Sequence, residues 1–223
     1  MNSLIKILMA LTGLLFSFLL ANAQEINWQG STLDKPHAIS LNFGADYSSY
    51  YGVSYLYRLP TQRLPIGLYA EAQVPFGSDL FDDWSGEVGA SSALWQQNQL
   101  AWTMQVGLIA RRYESELATL LNLGANVTTL FGYQGTHLGL SGLAGYERSI
   151  STRIEHTGLA VYYPDIQDGW YKSPGGNLKF GVQARGSFGA NHLYLTAGKA
   201  FGQNFTDNPT LPFYARVSLQ RTF

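Results

Sequence analysis

Along most of this chain apolar residues fall on every second position, and after residue 23 no stretch carries a helical spacing. That restricts the chain to strands. Successive strand side chains point to opposite faces, whereas a helical face repeats every 3.6 residues. Residues 66–74 give the clearest instance. Ile66, Leu68, Ala70, Ala72 and Val74 share one face, while Tyr69, Glu71 and Gln73 share the other. The pattern recurs at 38–45, 51–58, 87–95, 100–111, 118–131, 136–147, 178–185, 192–200 and 211–223. Residues 153–163 also read as a strand, but their apolar set changes face partway. Most segments have about the 9–11 residues that a tilted strand needs to cross the apolar core of a bilayer.

Alternation alone also fits half-buried strands of a soluble sheet. Composition separates the two. Charged residues are 13% and aromatics 14%, with 24 glycines and 14 tyrosines. A soluble secreted sandwich would carry more charge outside. Few charges and many aromatics suit strands whose outer face meets lipid between aromatic girdles. The net charge of -1 gives no electrostatic case for nucleic acid. With no cysteine, neither a disulfide nor a lipid-modified cysteine is expected.

Residues 1–23 read as a cleaved signal peptide. Lys6 precedes an apolar run over 7–20, and Ala21-Asn22-Ala23 places small residues where signal peptidase requires them. The same run could span a bilayer as an anchor, but no basic stop-transfer cluster follows it. Residues 24–36 form a short polar lead-in, and 37–223 the folded unit. Nothing after residue 23 is long and apolar enough for a helical span. Membrane insertion therefore requires a closed barrel, because an open sheet would leave backbone groups unpaired in lipid.

The last stretch sharpens this reading. In 211–223 the apolar residues Phe213, Ala215, Val217 and Leu219 alternate with Arg216, Ser218 and Gln220, and the chain ends on Phe223. This resembles the closing strand of bacterial outer-membrane β-barrel proteins. The resemblance implies an all-β, closed antiparallel transmembrane up-and-down barrel in the outer membrane of a Gram-negative bacterium. It also implies that Val217, Leu219 and Phe223 serve as a signal to the barrel-assembly machinery, with outer-membrane lipids as the surrounding partner. Arg221 stands where another apolar residue would continue the pattern, at a position expected near the periplasmic interface.

Eleven segments are one too many, because single-chain bacterial barrels close with an even number. Merging 38–45 and 51–58 into one bent strand gives ten, with eight and twelve left open. Counting back from the end puts the long connections 164–176 and 204–209 on the outer side and the short 189–191 turn on the periplasmic side. The same count puts the long 75–84 connection on the periplasmic side, where turns are normally short.

If apolar faces meet lipid, then Glu71, Gln73, Gln105, Arg111, Lys179, Gln183, Arg185, Arg216 and Gln220 point into the lumen. Small barrels fill their interiors with side chains, and about 16 strands are needed for a wide pore. A sealed network of ion pairs and amides is one expectation, and a narrow porin-like conduit the other. The role this supports is structural or narrow-pore, by a monomer without cofactor.

Enzymatic alternatives rest on two short motifs. Residues 153–158, with His156, resemble the histidine-bearing strand of lipid A deacylases, but Gly158 stands where that family has its serine. Asp82-Asp83 resembles the acidic pair of the ten-stranded omptin proteases, without their Asp-x-His partner. A third alternative is a barrel subunit of a larger envelope complex. His37, His137, His156 and His192 lack metal-ligand spacing, and no metal site is expected.

Overall fold

A computed structural model describes residues 33–46, 48–61, 64–77, 82–158, 163, 165–172, 175–202 and 212–223. Residues 1–23, expected to be a signal peptide, and most of the lead-in lie outside these residues, as does the whole 204–209 connection. The described residues form strands β1 (His37–Ala45), β2 (Ser49–Arg58), β3 (Ile66–Pro75), β4 (Trp84–Gln97), β5 (Leu100–Glu114), β6 (Thr119–Gln134), β7 (Leu138–Glu155), β8 (Gly169–Lys172), β9 (Gly176–Phe188), β10 (Asn191–Gly202) and β11 (Phe213–Thr222). Each of β1 to β7 pairs antiparallel with the next, β7 pairs with β9, β9 with β10 and β10 with β11. β11 closes onto β1, from Ala38 opposite Thr222 to Ala45 opposite Ala215. The result is a closed ten-stranded up-and-down barrel. The short β8 stands outside the ring, paired with the far end of β7.

The count of ten is right, but the expected merger is not. Residues 38–45 and 51–58 are two separate barrel strands, paired from His37 opposite Tyr57 to Ala45 opposite Ser49. The surplus segment is 153–163. Its first residues are the end of the long β7, and among the described residues no barrel strand follows before β9. Its apolar set keeps no single face because β7 ends at Glu155, and a bulge lies just before the segment. Leu123 and Gly124 of β6 face Ser151 and Ser149, so Ile150 between them has no partner, and alternation shifts by one beyond it.

This correction also moves the 75–84 connection. The termini meet at one end, where the His37 amide donates to the Phe223 carbonyl and the Phe223 amide to His37. At that end lie the tight turns at 98–99 and 189–190, the 135–137 turn and the longer 59–65 connection. Asn98 and Gly189 adopt positive φ (55° and 63°), a backbone region these two residues tolerate. The strand ends Ala45 and Ser49, Pro75 and Trp84, Glu114 and Thr119, Glu155 and Gly176, and Gly202 and Phe213 all lie at the opposite end, called here the loop end.

The faces are reversed relative to a water-soluble barrel. On β1, Ile39, Leu41 and Phe43 point outward and are about half exposed, while Ser40 and Asn42 are buried inside. On β5, Leu100, Trp102, Val106 and Leu108 are exposed outside, while Thr103, Gln105 and Ile109 are buried. Outward aromatics gather near both rims. At the terminal end, His37 stacks on Tyr55, Tyr57 and Phe223, and Trp95 stacks on Phe131. At the loop end, Tyr51 packs on Phe76, Phe180 on Phe201, and the Lys199 ammonium lies over Phe201 and Phe213.

Two glycine pairs make room for interior tyrosines. Tyr69 on β3 lies across Gly89 of β4 and Gly107 of β5, which are directly paired. Tyr214 on β11 lies across Gly198 of β10 and Gly181 of β9 in the same way. A Cβ at Gly198 or Gly181 would come within 2.5 Å of the Tyr214 hydroxyl. Only a residue without a Cβ lets the ring lie flat against the wall, so these glycines set how the interior is filled.

Candidate functional site

The barrel interior holds the densest chemistry of the molecule. Glu71 on β3 accepts hydrogen bonds from Asn42 (2.9 Å) and Gln73 (3.0 Å), and forms an ion pair with Arg216 at 2.9 Å. Arg216 sits on β11, so this contact passes over β1 and β2, and both side chains are 1% exposed. The Arg216 Nε also donates to Ser218, and Asn42 donates to Ser54.

A second chain lies nearer the loop end. Glu147 on β7 binds Arg111 of β5 at 2.5 Å through one carboxylate oxygen and Lys179 of β9 at 2.9 Å through the other. Lys179 then reaches Asp46, at the end of β1, at 3.4 Å. The relay Arg111–Glu147–Lys179–Asp46 thus links β5, β7, β9 and β1 across the interior.

Glu87 on β4 differs from both. It accepts hydrogen bonds from Tyr69 (2.6 Å) and Asn126 (3.0 Å) through Oε1, while Oε2 has no hydrogen-bond partner among the described residues. Toward the terminal end the interior is held by neutral amides and hydroxyls. Gln183 donates to Thr196, Ser40 to Gln220, and Gln134 to Ser141, while Arg185 donates to the Gly135 carbonyl.

Of the residues expected in the lumen, Glu71, Gln73, Gln105, Lys179, Gln183, Arg185, Arg216 and Gln220 are buried, and the Arg111 side chain is 22% exposed. The geometry joins Glu71 to Gln73 and Arg216, and Arg111 to Lys179 through Glu147. Gln183, Arg185 and Gln220 are hydrogen-bonded to Thr196, Gly135 and Ser40. Val217 is partly buried, whereas Leu219 and Phe223 are more than half exposed on the outer face. Arg221 is also exposed there, paired in register with Ile39 and Asn191 beside the terminal rim.

Sequence reasoning passed over Glu147, Glu87, Asn42 and Asp46. The first three share the inward parity of their strands, opposite outward Tyr146, Val88 and Leu41, so the signal was present. Asp46 carried no such signal, because a residue after the end of β1 is aimed by the turn and not by strand parity.

The two enzyme-like motifs are used locally. His156 lies just beyond the end of β7. Its ring and its backbone amide both contact the Asp168 carboxylate, at 3.0 and 2.8 Å. Those two hydrogen bonds, the backbone one first, hold the Asp168 carboxyl below the usual carboxylate range. Asp83 accepts the Glu114 amide at 2.9 Å, and the Asp82 carbonyl accepts from Arg112. Arg112 in turn pairs with Glu114 at 2.5 Å. Among the described residues no group of three or more candidate metal ligands occurs.

The fold and interior define a closed β-barrel with an apolar exterior and a hydrogen-bonded, ion-paired interior. No protein-family model and no curated protein matches the chain.

Proposed function

We propose that this protein is a monomeric integral barrel of a Gram-negative outer membrane, with a sealed interior and a structural role. The carrying observation is the pair of ion-pair chains that cross the interior at two heights, Glu71–Arg216 and Arg111–Glu147–Lys179–Asp46. A conduit for water or ions would leave such groups hydrated and their partners separated. Here six charged groups meet one another and Glu87 and Arg185 are held by neutral hydrogen-bond partners, which is how a narrow low-dielectric space becomes tolerable for them.

The outer surface supports the membrane assignment. On β5 the outward positions are apolar from Leu100 to Ala110, and the next two, Arg112 and Glu114, are charged. That apolar stretch matches the roughly 9–11 residues of a tilted spanning strand. Aromatics cluster near both rims, as at the two interfaces of a bilayer. Lys199 lies within the loop-end aromatics, where its stem covers apolar surface and its head can reach water.

A two-part measurement tests this reading. The purified chain should run anomalously on a gel until boiled, and it should give no discrete channel events in a planar bilayer. Robust stepwise conductance would replace the sealed interior with a narrow pore. A chain recovered only from the soluble periplasm would overturn the membrane assignment.

The terminal residues are proposed to act before folding is complete. Leu219 and Phe223 face outward on the closing strand, where an assembly factor could read them before β11 meets β1. Removing Phe223 also removes the stack on His37 and the two backbone bonds that join the termini. The truncated chain is expected to accumulate unassembled while the purified form still refolds in detergent. Normal insertion of that variant in cells would show that Phe223 is not read.

A further inference from the structure

At the loop end a cavity of about 260 Å³ opens between the β1–β2 turn and the rims of β2 to β5. Tyr50, Trp84 and Tyr113 are among the residues that line it, and Tyr50 and Tyr113 share the inward parity of their strands. The volume lies just below the roughly 300–1,000 Å³ of typical small-molecule sites, so it suits a ligand of one or two rings. The Lys179–Asp46 and Glu147–Arg111 pairs stand at its inner side, so a ligand entering from the loop end would stop there.

Arg111, Arg112 and Asp46 at the cavity are already paired with opposite charges (Glu147, Glu114 and Lys179), and Asp83 holds the Glu114 backbone amide. A charged ligand would have to compete with these contacts and separate a buried pair. A purely apolar ligand would fail in a different way. The buried hydroxyls of Tyr50 and Ser85, both on lining residues, have no hydrogen-bond partner among the described residues. Covering them with hydrocarbon would make that cost permanent.

A ring with apolar C–H faces and hydroxyls at its edge fits both conditions. One face can lie on Tyr113, and its hydroxyls can exchange hydrogen bonds with Tyr50, Gln73 and, after a rotamer change, with Ser85. We propose that this cavity binds an uncharged sugar ring, presented from the outer side of the barrel. Binding needs only the folded barrel, so it can fail while the membrane assignment stands.

The protein in a detergent without a sugar headgroup is titrated with maltose and the methyl glycosides of glucose, galactose, mannose and N-acetylglucosamine. Galacturonate and glucosamine serve as charged comparisons. Sugar-proton saturation-transfer signals and tryptophan emission report binding. At least one neutral probe should bind saturably with Kd in the range of about 1–10 mM, more tightly than either charged probe. Tyr113→Ala, at a rim residue that is 52% exposed, should weaken it about fivefold or more while the heat-shifted gel band stays unchanged. Silence from every neutral probe up to about 50 mM would overturn the site. So would tighter binding of galacturonate or glucosamine, or an unchanged affinity in Tyr113→Ala.

Discussion

Replacing Arg216 by methionine should lower the barrel's unfolding free energy by about 3–5 kcal/mol, the cost of leaving one member of a buried ion pair without its partner. Glu71 would keep its hydrogen bonds from Asn42 and Gln73, but its negative charge would face no cation at hydrogen-bond distance. The companion variant Glu71→Leu should cost a similar amount by stranding Arg216. The double variant should recover most of the loss, because two apolar side chains of similar size can replace a buried pair at little net cost. Urea titration in micelles, read by tryptophan emission and by the heat-shifted band, gives the three values and hence the coupling between the sites. Single losses below about 1 kcal/mol would mean that water reaches and screens the pair, as for exposed ion pairs, and the interior would then not be sealed.

Strand identity was legible because it depends on local parity. Once Val74 and Ile66 are placed on one face, Glu71 and Gln73 follow onto the other, and the structure keeps that order through β3. Tyr69 and Tyr214 could be placed inward by the same rule. Their glycine platforms could not, since Gly89–Gly107 and Gly181–Gly198 become pairs only through the register of three strands. The change of face within 153–163 was legible, but its cause was not: the pairing of β6 with β7 stops at Glu155, so the change marks the end of a strand.

Partners in the interior were less legible than membership. Glu71 and Arg216 are 145 positions apart in sequence and separated by two strands in the wall, so neither spacing nor parity joins them. Closure does, by bringing β11 beside β1. The loop-end cavity depends on the same closure and on turn geometry. Tyr50, Trp84 and Tyr113 come from three strands, and Asp46 from a turn that no alternation pattern describes.

The exterior gives the sharpest test of where the barrel resides. Val106 is the middle of the outward apolar run on β5, half-exposed between Ala90 and Val127 of its neighbours. In lipid vesicles Val106→Arg should cost about 2–4 kcal/mol, because an arginine at the bilayer midplane must desolvate or deform the membrane to reach water. Leu100→Arg, on the same outward face but beside the 98–99 turn, should cost only about 0–1 kcal/mol, since the interface is within reach of its side chain. That depth dependence is a property of the bilayer and not of the protein's packing. Both side chains are already close to half exposed, so a barrel whose exterior met water would lose little from either change, and added charge there could raise its solubility. Unfolding measured in phospholipid vesicles therefore separates the two environments by the difference between the variants. A difference near zero would remove the membrane from the description of this barrel, while leaving its closed ten-stranded wall in place.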